Sequence, residues 1–600
     1  MSAPTASEAD PMLTEKVAEQ QQNEPSTETA RHAQTAVTGL VPSGASPEQL
    51  AAATDKMMDE TVKMDDFYQL GRYTYVVCLL AELLILAQVG NMLYMTYAGA
   101  APTLLKCGQH VFPNVEKANK RCEAWAEMAK SNQSNCSSQN VEWDEQFVSV
   151  NVEFDMRCGT QEVKNTITYQ MIGVIFGSMF FGYLSDSYGR RKIMLIALIL
   201  CILSMVATSF TNTLLSFTIV RFFVNFFNAG TMVTLVVFTS EHYPKKHRFC
   251  LANLITWSPN FVLFAIMAYV AHDWRTLQRV SAAFATPCVP ILYFLSESPR
   301  FLVQCRRMAE AKAAILRMHR IDGRECDESV LDAVLAREER QHEATKGQKK
   351  YNYLHLFYTW RFVRYTTAVA ISFFVVSLMN YSLLFDLDKL SGSMFVNGIM
   401  TGVFRYSMNL AISFGDMRFK WLGRKFAHFL ADALAASALL LYITMDLTGN
   451  RTVLPLVANW CIMSVIGFCS LLYTTNGLAS NELFPTGVRN SSYSFGQVLS
   501  RIGVVLAPMF SSLSKRWGLL PYVLLLVLSV FDAFYFQFNV IETKDRPMGS
   551  KFPDEEERIF YGKFRRGAAG RKTDVELLPR GGANAEAPGA NGAPETEEKK

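Results

Sequence analysis

Residues 182–192 read Gly182-Tyr183-Leu184-Ser185-Asp186-Ser187-Tyr188-Gly189-Arg190-Arg191-Lys192, a charged segment with a tight turn set between two long apolar runs. An Asp closing one apolar helix and a Gly-Arg-Arg-Lys run opening the next can form a charge-assisted latch, because a guanidinium fork matches a carboxylate. Latches of this kind suit a molecule that rocks between two packings. The apolar runs on either side therefore decide the fold.

Half of the 600 residues are apolar and 19% are charged, with charge gathered at the two ends and in short connections. That distribution marks a polytopic membrane protein. A hydrocarbon core of about 30 Å takes roughly 20 helical residues to cross. Twelve runs of that kind lie at about 73–97, 167–186, 193–211, 215–240, 250–271, 275–296, 364–386, 393–415, 426–446, 452–477, 492–513 and 518–540. The expectation is an all-α membrane protein of two six-helix halves, inserted in a lipid bilayer.

Basic residues are retained on the cytoplasmic side of a membrane. Arg190, Arg191 and Lys192 follow span two, Lys245, Lys246 and Arg248 follow span four, and Arg418, Lys420, Arg424 and Lys425 precede span nine. All share one side if both termini are cytoplasmic, whereas Thr211-Asn212-Thr213 on the other side carries none; Lys515-Arg516 is the exception. Residues 1–60 hold no apolar core of a cleaved signal, so the first span is the insertion signal.

The resulting divisions are a disordered cytoplasmic tail (1–68), an amino-terminal half (69–296), a cytoplasmic linker (297–363), a carboxyl-terminal half (364–541) and a second disordered tail (542–600). The net charge of +4 follows this topology and gives no reason to expect nucleic acid. Within the linker, Met308–Arg320 and Glu328–Gln341 have amphipathic periodicity, with Val330, Leu331, Val334 and Leu335 on one face.

The segment 98–166 is long, polar and external in this topology. It carries Cys107, Cys122, Cys136 and Cys158, which in an oxidising compartment predict two disulfides in any of three pairings. Asn132-Gln133-Ser134 and Asn135-Cys136-Ser137 are glycosylation sequons at Asn132 and Asn135. The other eight cysteines fall in or beside spans or on the cytosolic side and are expected to pack.

Several motifs carry a family resemblance. The 182–192 segment resembles the loop-two signature of the major facilitator superfamily. Closer likenesses are Val152-Glu153-Phe154-Asp155-Met156-Arg157-Cys158, Trp274-Arg275 with Leu277-Gln278, and Glu297-Ser298-Pro299-Arg300-Phe301-Leu302. Glu482-Leu483-Phe484-Pro485-Thr486 with Val488-Arg489-Asn490, and Glu542-Thr543-Lys544, complete the set. In this order and spacing the motifs resemble the organic cation/anion/carnitine transporter family. That resemblance implies movement of small organic ions across a plasma membrane by alternating access around a site between the halves. It implies no enzymatic activity and no cofactor. No Gly-x-x-x-x-Gly-Lys-Ser/Thr loop and no His-Glu-x-x-His is present, so neither nucleotide hydrolysis nor a metal-centred peptidase is indicated.

Ionisable groups at mid-membrane need a partner or a watery cavity, since each costs about 2.5–3.5 kcal/mol even on lenient scales. Four stand out: Glu82, Arg221, Arg405 and Arg501. The family's anion and carnitine branches carry Arg where Arg501 stands and its cation branch carries Asp, so Arg501 is read as a contact for an anionic group, the alternative being a structural pair with an acidic neighbour in the bundle. Arg405 supplies a second anion contact or pairs with Glu82, and Glu82 is expected in an ion pair with Arg221 or Arg405. Asn380, Tyr381 and Tyr169, with Gln170 and Asn91, are candidate cavity liners; helix packing is the plainer account of each.

Arg221 and Glu241 bracket span four, which brings Glu241 to the latch segment. The resemblance gives Gly182, Asp186, Gly189, Arg190, Arg191 and Glu241 a gating role, and extends it to Arg221, Glu297, Arg300, Gly423, Arg424, Glu482 and Arg489. In the second half Lys420 stands where an Asp is expected, with Asp416 one turn earlier as its substitute, so the second latch is expected to be weaker or differently wired. Competing readings are an organic cation carrier, a sugar facilitator sharing the loop-two signature, and a non-transporting scaffold or receptor of the same fold.

Overall fold

The computed structural model describes residues 64–543 except 113–117, 132–140, 159, 245–246, 248–250, 252–253, 345–352, 388–389, 420–422 and 452, together with Ile559. The chain begins there with a short 3-10 turn, Met64–Phe67, inside the stretch read as tail. Helix α1 (Arg72–Ala98) follows, then the loop domain with α2 (Ala118–Ser131) and α3 (Val150–Glu153). Next come α4 (Thr160–Tyr188), α5 (Arg190–Thr208), α6 (Leu214–His242), α7 (Trp257–Ala271), α8 (Trp274–Ala285) and α9 (Cys288–Phe294). The linker forms α10 (Pro299–Gln304), α11 (Met308–Asp322) and α12 (Glu328–Ala344). The second half comprises α13 (Trp360–Leu384), α14 (Met394–Arg418), α15 (Arg424–Leu447), α16 (Pro455–Glu482), α17 (Thr486–Ser512) and α18 (Leu520–Asn539).

Among the described residues eight helices are long and apolar enough to cross a membrane: α1, α4, α5, α6, α13, α15, α16 and α18. In the run at 250–271, whose first residues are only partly described, the helix described is the 15-residue α7. The run at 275–296 is interrupted between α8 and α9 at Thr286-Pro287, where proline withdraws an N–H from the ladder. Helices α14 and α17 are long enough, but Asn397, Arg405 and Asn409 in the first and Arg489, Asn490 and Arg501 in the second dilute their apolar character.

Packing within each half follows the same plan. Helices α4 and α5 lie on α6, as α14 and α15 lie on α16. The α4–α6 approach depends on Gly177, where a Cβ would overlap the backbone of Phe226. Across the halves, α7 packs on α14 and α4 on α17.

The loop domain holds a small antiparallel sheet of β1 (Thr103–Cys107), β2 (His110–Val111) and β3 (Val141–Asp144) in the order β2-β1-β3. Cys122 is joined to Cys158 and Cys107 is also disulfide-bonded. Asn132, Asn135 and Cys136 lie outside the described residues. At the opposite end Leu331, Val334 and Leu335 are buried, as the amphipathic pattern predicts. Asp322 at the end of α11 accepts the backbone N–H of Tyr73 at 2.7 Å, which fastens the linker beneath α1.

Candidate functional site: linker-end clusters, loop-end seal and buried charges

The loop-two segment folds as the end of α4, a turn at Gly189, and the start of α5. Gly189 has φ +110°, a backbone that favours glycine, and a Cβ there would meet the Glu297 carboxylate. Glu297 accepts the backbone N–H groups of Arg190 (3.1 Å) and Arg191 (3.0 Å), so a carboxylate caps the positive end of α5. The buried Arg190 guanidinium lies 3.4 Å from Glu241 and 3.2 Å from Asp186, and stacks on Phe301 with 4.4 Å to the ring centroid. Arg191 donates to the Leu295 carbonyl at 2.6 Å. Arg300 pairs with Asp65 and stacks on Tyr68.

The second half repeats this arrangement. Glu542 accepts the N–H groups of Arg424 (2.9 Å) and Lys425 (3.1 Å), as Glu297 does on α5. Arg424 lies 3.4 Å from Glu482, the same separation as Arg190 from Glu241. A Cβ on Gly423 would overlap the Glu542 carboxylate. The expectation of a weak second latch is therefore corrected for its two main contacts; Lys420 and the Asp416 side chain lie outside the described residues. In the first cluster the Asp186 arm is the cheaper one, because its side chain is 74% exposed while Glu241 is 16% exposed. Arg489 sits in the first turn of α17, and its Nε has no hydrogen-bond partner among the described residues.

Each of these contacts ties elements of one half to one another or to the linker. Gly182, in the last turns of α4, has only Val233 nearby. Contacts cross between the halves along α7 and α14, where Asn409 donates to Ser258 Oγ at 3.0 Å, and in a group at the loop end. Lys164 and Asp386 form an ion pair at 3.0 Å with side chains 12% and 13% exposed. Gln146 donates to the Gly392 carbonyl and accepts from the Met394 N–H. Phe395 of α14 stacks on Tyr97 of α1 and meets Phe147 and Tyr269 edge-on. Glu153 and Trp274-Arg275, distant in sequence, also meet near this end: Glu153 accepts from the Trp274 ring N–H at 2.5 Å and pairs with Arg275 at 2.6 Å. Burial opposes ionisation of Glu153, yet the bonds from Arg275 and Trp274 prevail and hold its carboxyl below the ordinary range.

Of the intramembrane charges, Arg221 is fully buried and bonded to neutral acceptors, Gln170 Oε1, Gln278 Oε1 and the Asn91 carbonyl at 2.8 Å, with its face on Tyr94. It ties α1, α4, α6 and α8 together, so its expected place at a gate is corrected to the core of the first half. Glu82 accepts from Asn260 Nδ2 at 2.8 Å and pairs with neither Arg221 nor Arg405, which corrects the expected ion pair. Arg405 donates to Asn380 Oδ1 at 2.7 Å and covers the Phe261 ring across the interface between halves, 4.6 Å from its centroid. Arg501 has Tyr381 and Tyr493 as electrostatic neighbours and no hydrogen bond or ion pair among the described residues. Arg405, Asn380, Tyr381 and Arg501 thus form one neighbourhood. Tyr169 is 54% exposed and makes no hydrogen bond or ring contact with them, while the adjacent Gln170 is buried.

One cluster went unread in the sequence. His428 and Asp432 on α15 and Asp532 on α18 are fully buried and offer ligand-type atoms within 4.8 Å of one another. The signal was available: intramembrane acids are costly, and His428 and Asp432 share a helix face at i, i+4. The two imidazole nitrogens face different carboxylates, so the donors do not converge on one point as a metal cage requires.

Eight helices long and apolar enough to cross a membrane, a charged cluster of the same build in each half and polar groups buried between helices are the features of a membrane protein. The profile of the family described as "Sugar (and other) transporter" matches residues 110–550, and the chain belongs to that family, within the major facilitator superfamily. The rat protein named Solute carrier family 22 member 7 is 26% identical over 398 residues, 64% of this chain and 71% of its own length. The human Organic cation/carnitine transporter 2 is 26% identical over 374 residues, 61% and 64% of the two chains. The xylose transporter XylE of E. coli, in a partially occluded inward open conformation, superposes with a TM-score of 0.56 at 15% identity, over 79% of this chain and 99% of that one. The likeness to XylE establishes the fold; the curated relatives establish a transporter of small organic substrates of the solute carrier 22 kind.

Proposed function

We propose that the chain carries small organic anions or zwitterions of the carnitine type across the plasma membrane by alternating access. In this reading it has twelve spans, with α8 and α9 together forming the sixth, and both termini are cytoplasmic. The observation that carries the proposal is Arg501, a guanidinium within the second half with no carboxylate or hydrogen-bond partner among the described residues. A guanidinium left open beside Tyr381 is suited to a carboxylate, sulfate or phosphate on a substrate. Arg405, steadied by Asn380 and Phe261 across the interface, supplies a second positive charge. In this reading the loop end is the extracellular end, and Lys164–Asp386 with the Phe395 aromatics form the outer gate.

A neutral sugar offers Arg501 hydroxyl acceptors but no opposite charge, which disfavours the sugar reading. Uptake of labelled carnitine, an aromatic carboxylate and tetraethylammonium into cells expressing the full chain tests the assignment. The carboxylate-bearing probes enter saturably and Arg501→Gln abolishes that entry; tetraethylammonium uptake that survives Arg501→Asp overturns it.

A further inference from the structure

The buried cluster of the second half has more acceptors than its donors can serve. Ser372 of α13 has one hydroxyl proton and three neighbours: Asp532 Oδ2 at 2.7 Å, His428 Nε2 at 2.8 Å and Asn476 Nδ2 of α16 at 2.7 Å. If Ser372 donates to Asp532, it accepts from the His428 Nε2–H, and the neutral imidazole presents a bare Nδ1 to Asp432. That Nδ1 stands 3.2 Å from Asp432 Oδ2, yet without hydrogen-bond geometry, and both atoms are unpartnered among the described residues. If Ser372 donates to His428 instead, Asp532 must itself carry a proton to bond the hydroxyl. Either arrangement needs one proton beyond a neutral imidazole and two carboxylates.

Among the described residues no Lys or Arg pairs with the cluster to supply the positive charge. The other polar contact is Ser529 on Asp432 Oδ1 at 3.3 Å; Phe536 lies face to face on the imidazole, 3.7 Å between centroids. From α16 the titratable neighbour is Cys469, which stands between Asp432 and Arg405 electrostatically; α13 contributes only Ser372. Asp532 Oδ1 and Asn476 Oδ1 are also fully buried and unpartnered. A permanently protonated structural network would leave no such atoms, because an unsatisfied buried acceptor is costly. His428 lies four residues, about 6 Å, inside the Arg424–Glu482 gate.

We propose that Asp432, His428 and Asp532 form a proton-binding relay in the second half, loaded and emptied through the Arg424–Glu482 end as the carrier alternates. The proton rests between His428 Nδ1 and Asp432 in one arrangement and on Asp532, hydrogen-bonded to Ser372, in the other. In the shift between them the His428 Nε2 proton passes to Ser372 Oγ as the Ser372 hydroxyl proton passes to Asp532, while His428 Nδ1 keeps the proton it shared with Asp432; one N–H and one O–H break and two O–H bonds form. Proton movement is thereby linked to substrate movement. The inference rests on the transporter reading and not on the charge of the substrate.

Infrared titration of the full chain, reconstituted in lipid and labelled with 13C-aspartate, reads the relay without any substrate. A protonated-carboxyl band that falls as pH rises, and is lost in both Asp432→Asn and Asp532→Asn, is the expected result. The substitutions are nearly isosteric and mimic the protonated acid. The wild-type titration stands alone if a variant fails to fold. Absence of a titrating Asp band in the wild type, or one unchanged in both variants, overturns the relay. A band that responds to sodium at fixed pH and not to pH overturns it in favour of a metal cation. In vesicles, an inward proton gradient stimulates carnitine or carboxylate uptake several-fold by wild type and not by Asp532→Asn. Failure of uptake with the infrared titration intact faults the substrate assignment and spares the relay.

Discussion

Removing the carboxylate that caps α15, by Glu542→Ala, should loosen the second gate as much as Glu297→Ala loosens the first. Each carboxylate accepts two backbone N–H groups at the start of a helix, at 3.1 and 3.0 Å for Glu297 and at 2.9 and 3.1 Å for Glu542. A hydrogen bond to a charged acceptor is worth about 1.5–3 kcal/mol net, and both groups are partly exposed, which lowers the sum. A loss of about 2 kcal/mol in the capped arrangement corresponds to roughly 30-fold in its population. Hydrogen–deuterium exchange of the first-turn amides reads this directly. Arg190 and Arg191 amides exchange roughly 30-fold faster in Glu297→Ala, and Arg424 and Lys425 amides by a comparable factor in Glu542→Ala. Faster exchange at α5 with α15 unchanged would refute the equivalence of the two gates.

Four further outcomes follow from the same contacts. Asp186→Asn, at an exposed side chain, costs less than about 1 kcal/mol, so transport at matched surface expression falls far less than in Glu241→Gln. Arg221→Met strands Gln170, Gln278 and the Asn91 carbonyl without their donor and lowers the melting temperature of the purified protein with every substrate equally. Lys164→Ala removes the ion pair to Asp386 at the loop end and shifts the protein toward the outward-open form, read as greater labelling of a cysteine placed at Phe395. Glu153 has a depressed carboxyl pKa in the fold, so its stabilisation is complete above the unfolded value and is lost as pH falls through the folded one. Glu153→Gln should remove that acid-side component from a series of melting curves.

The helical frame was legible because hydrophobic runs of membrane length leave little choice of structure, and the loop-two segment marked one gate unaided. The interruption at Pro287 and the polar character of α14 and α17 were written in the same runs but are blurred by averaging over a window. Pairing was harder. Glu82 invited an arginine partner, whereas Asn260 answers it and Arg221 is satisfied by amides and a carbonyl, a choice that depends on helix rotation. The second gate was undervalued because Lys420 drew attention to one substituted position, while Glu542, well over a hundred residues further on, restores the cap. His428, Asp432 and Asp532 were passed over as members of apolar runs; only the fold brings α15 and α18 together around Ser372.

The central claim is that Arg501 receives a negatively charged group of the substrate. The most direct measurement is saturable uptake of labelled carnitine and an aromatic carboxylate by wild type, Arg501→Lys and Arg501→Gln at matched surface expression. Loss of one charge-assisted contact, about 1.5–3 kcal/mol, predicts roughly a 10- to 150-fold fall in transport efficiency for the glutamine variant. The lysine variant retains part of the activity, since it keeps the charge and loses the fork. Unchanged uptake of both probes in Arg501→Gln would contradict the account.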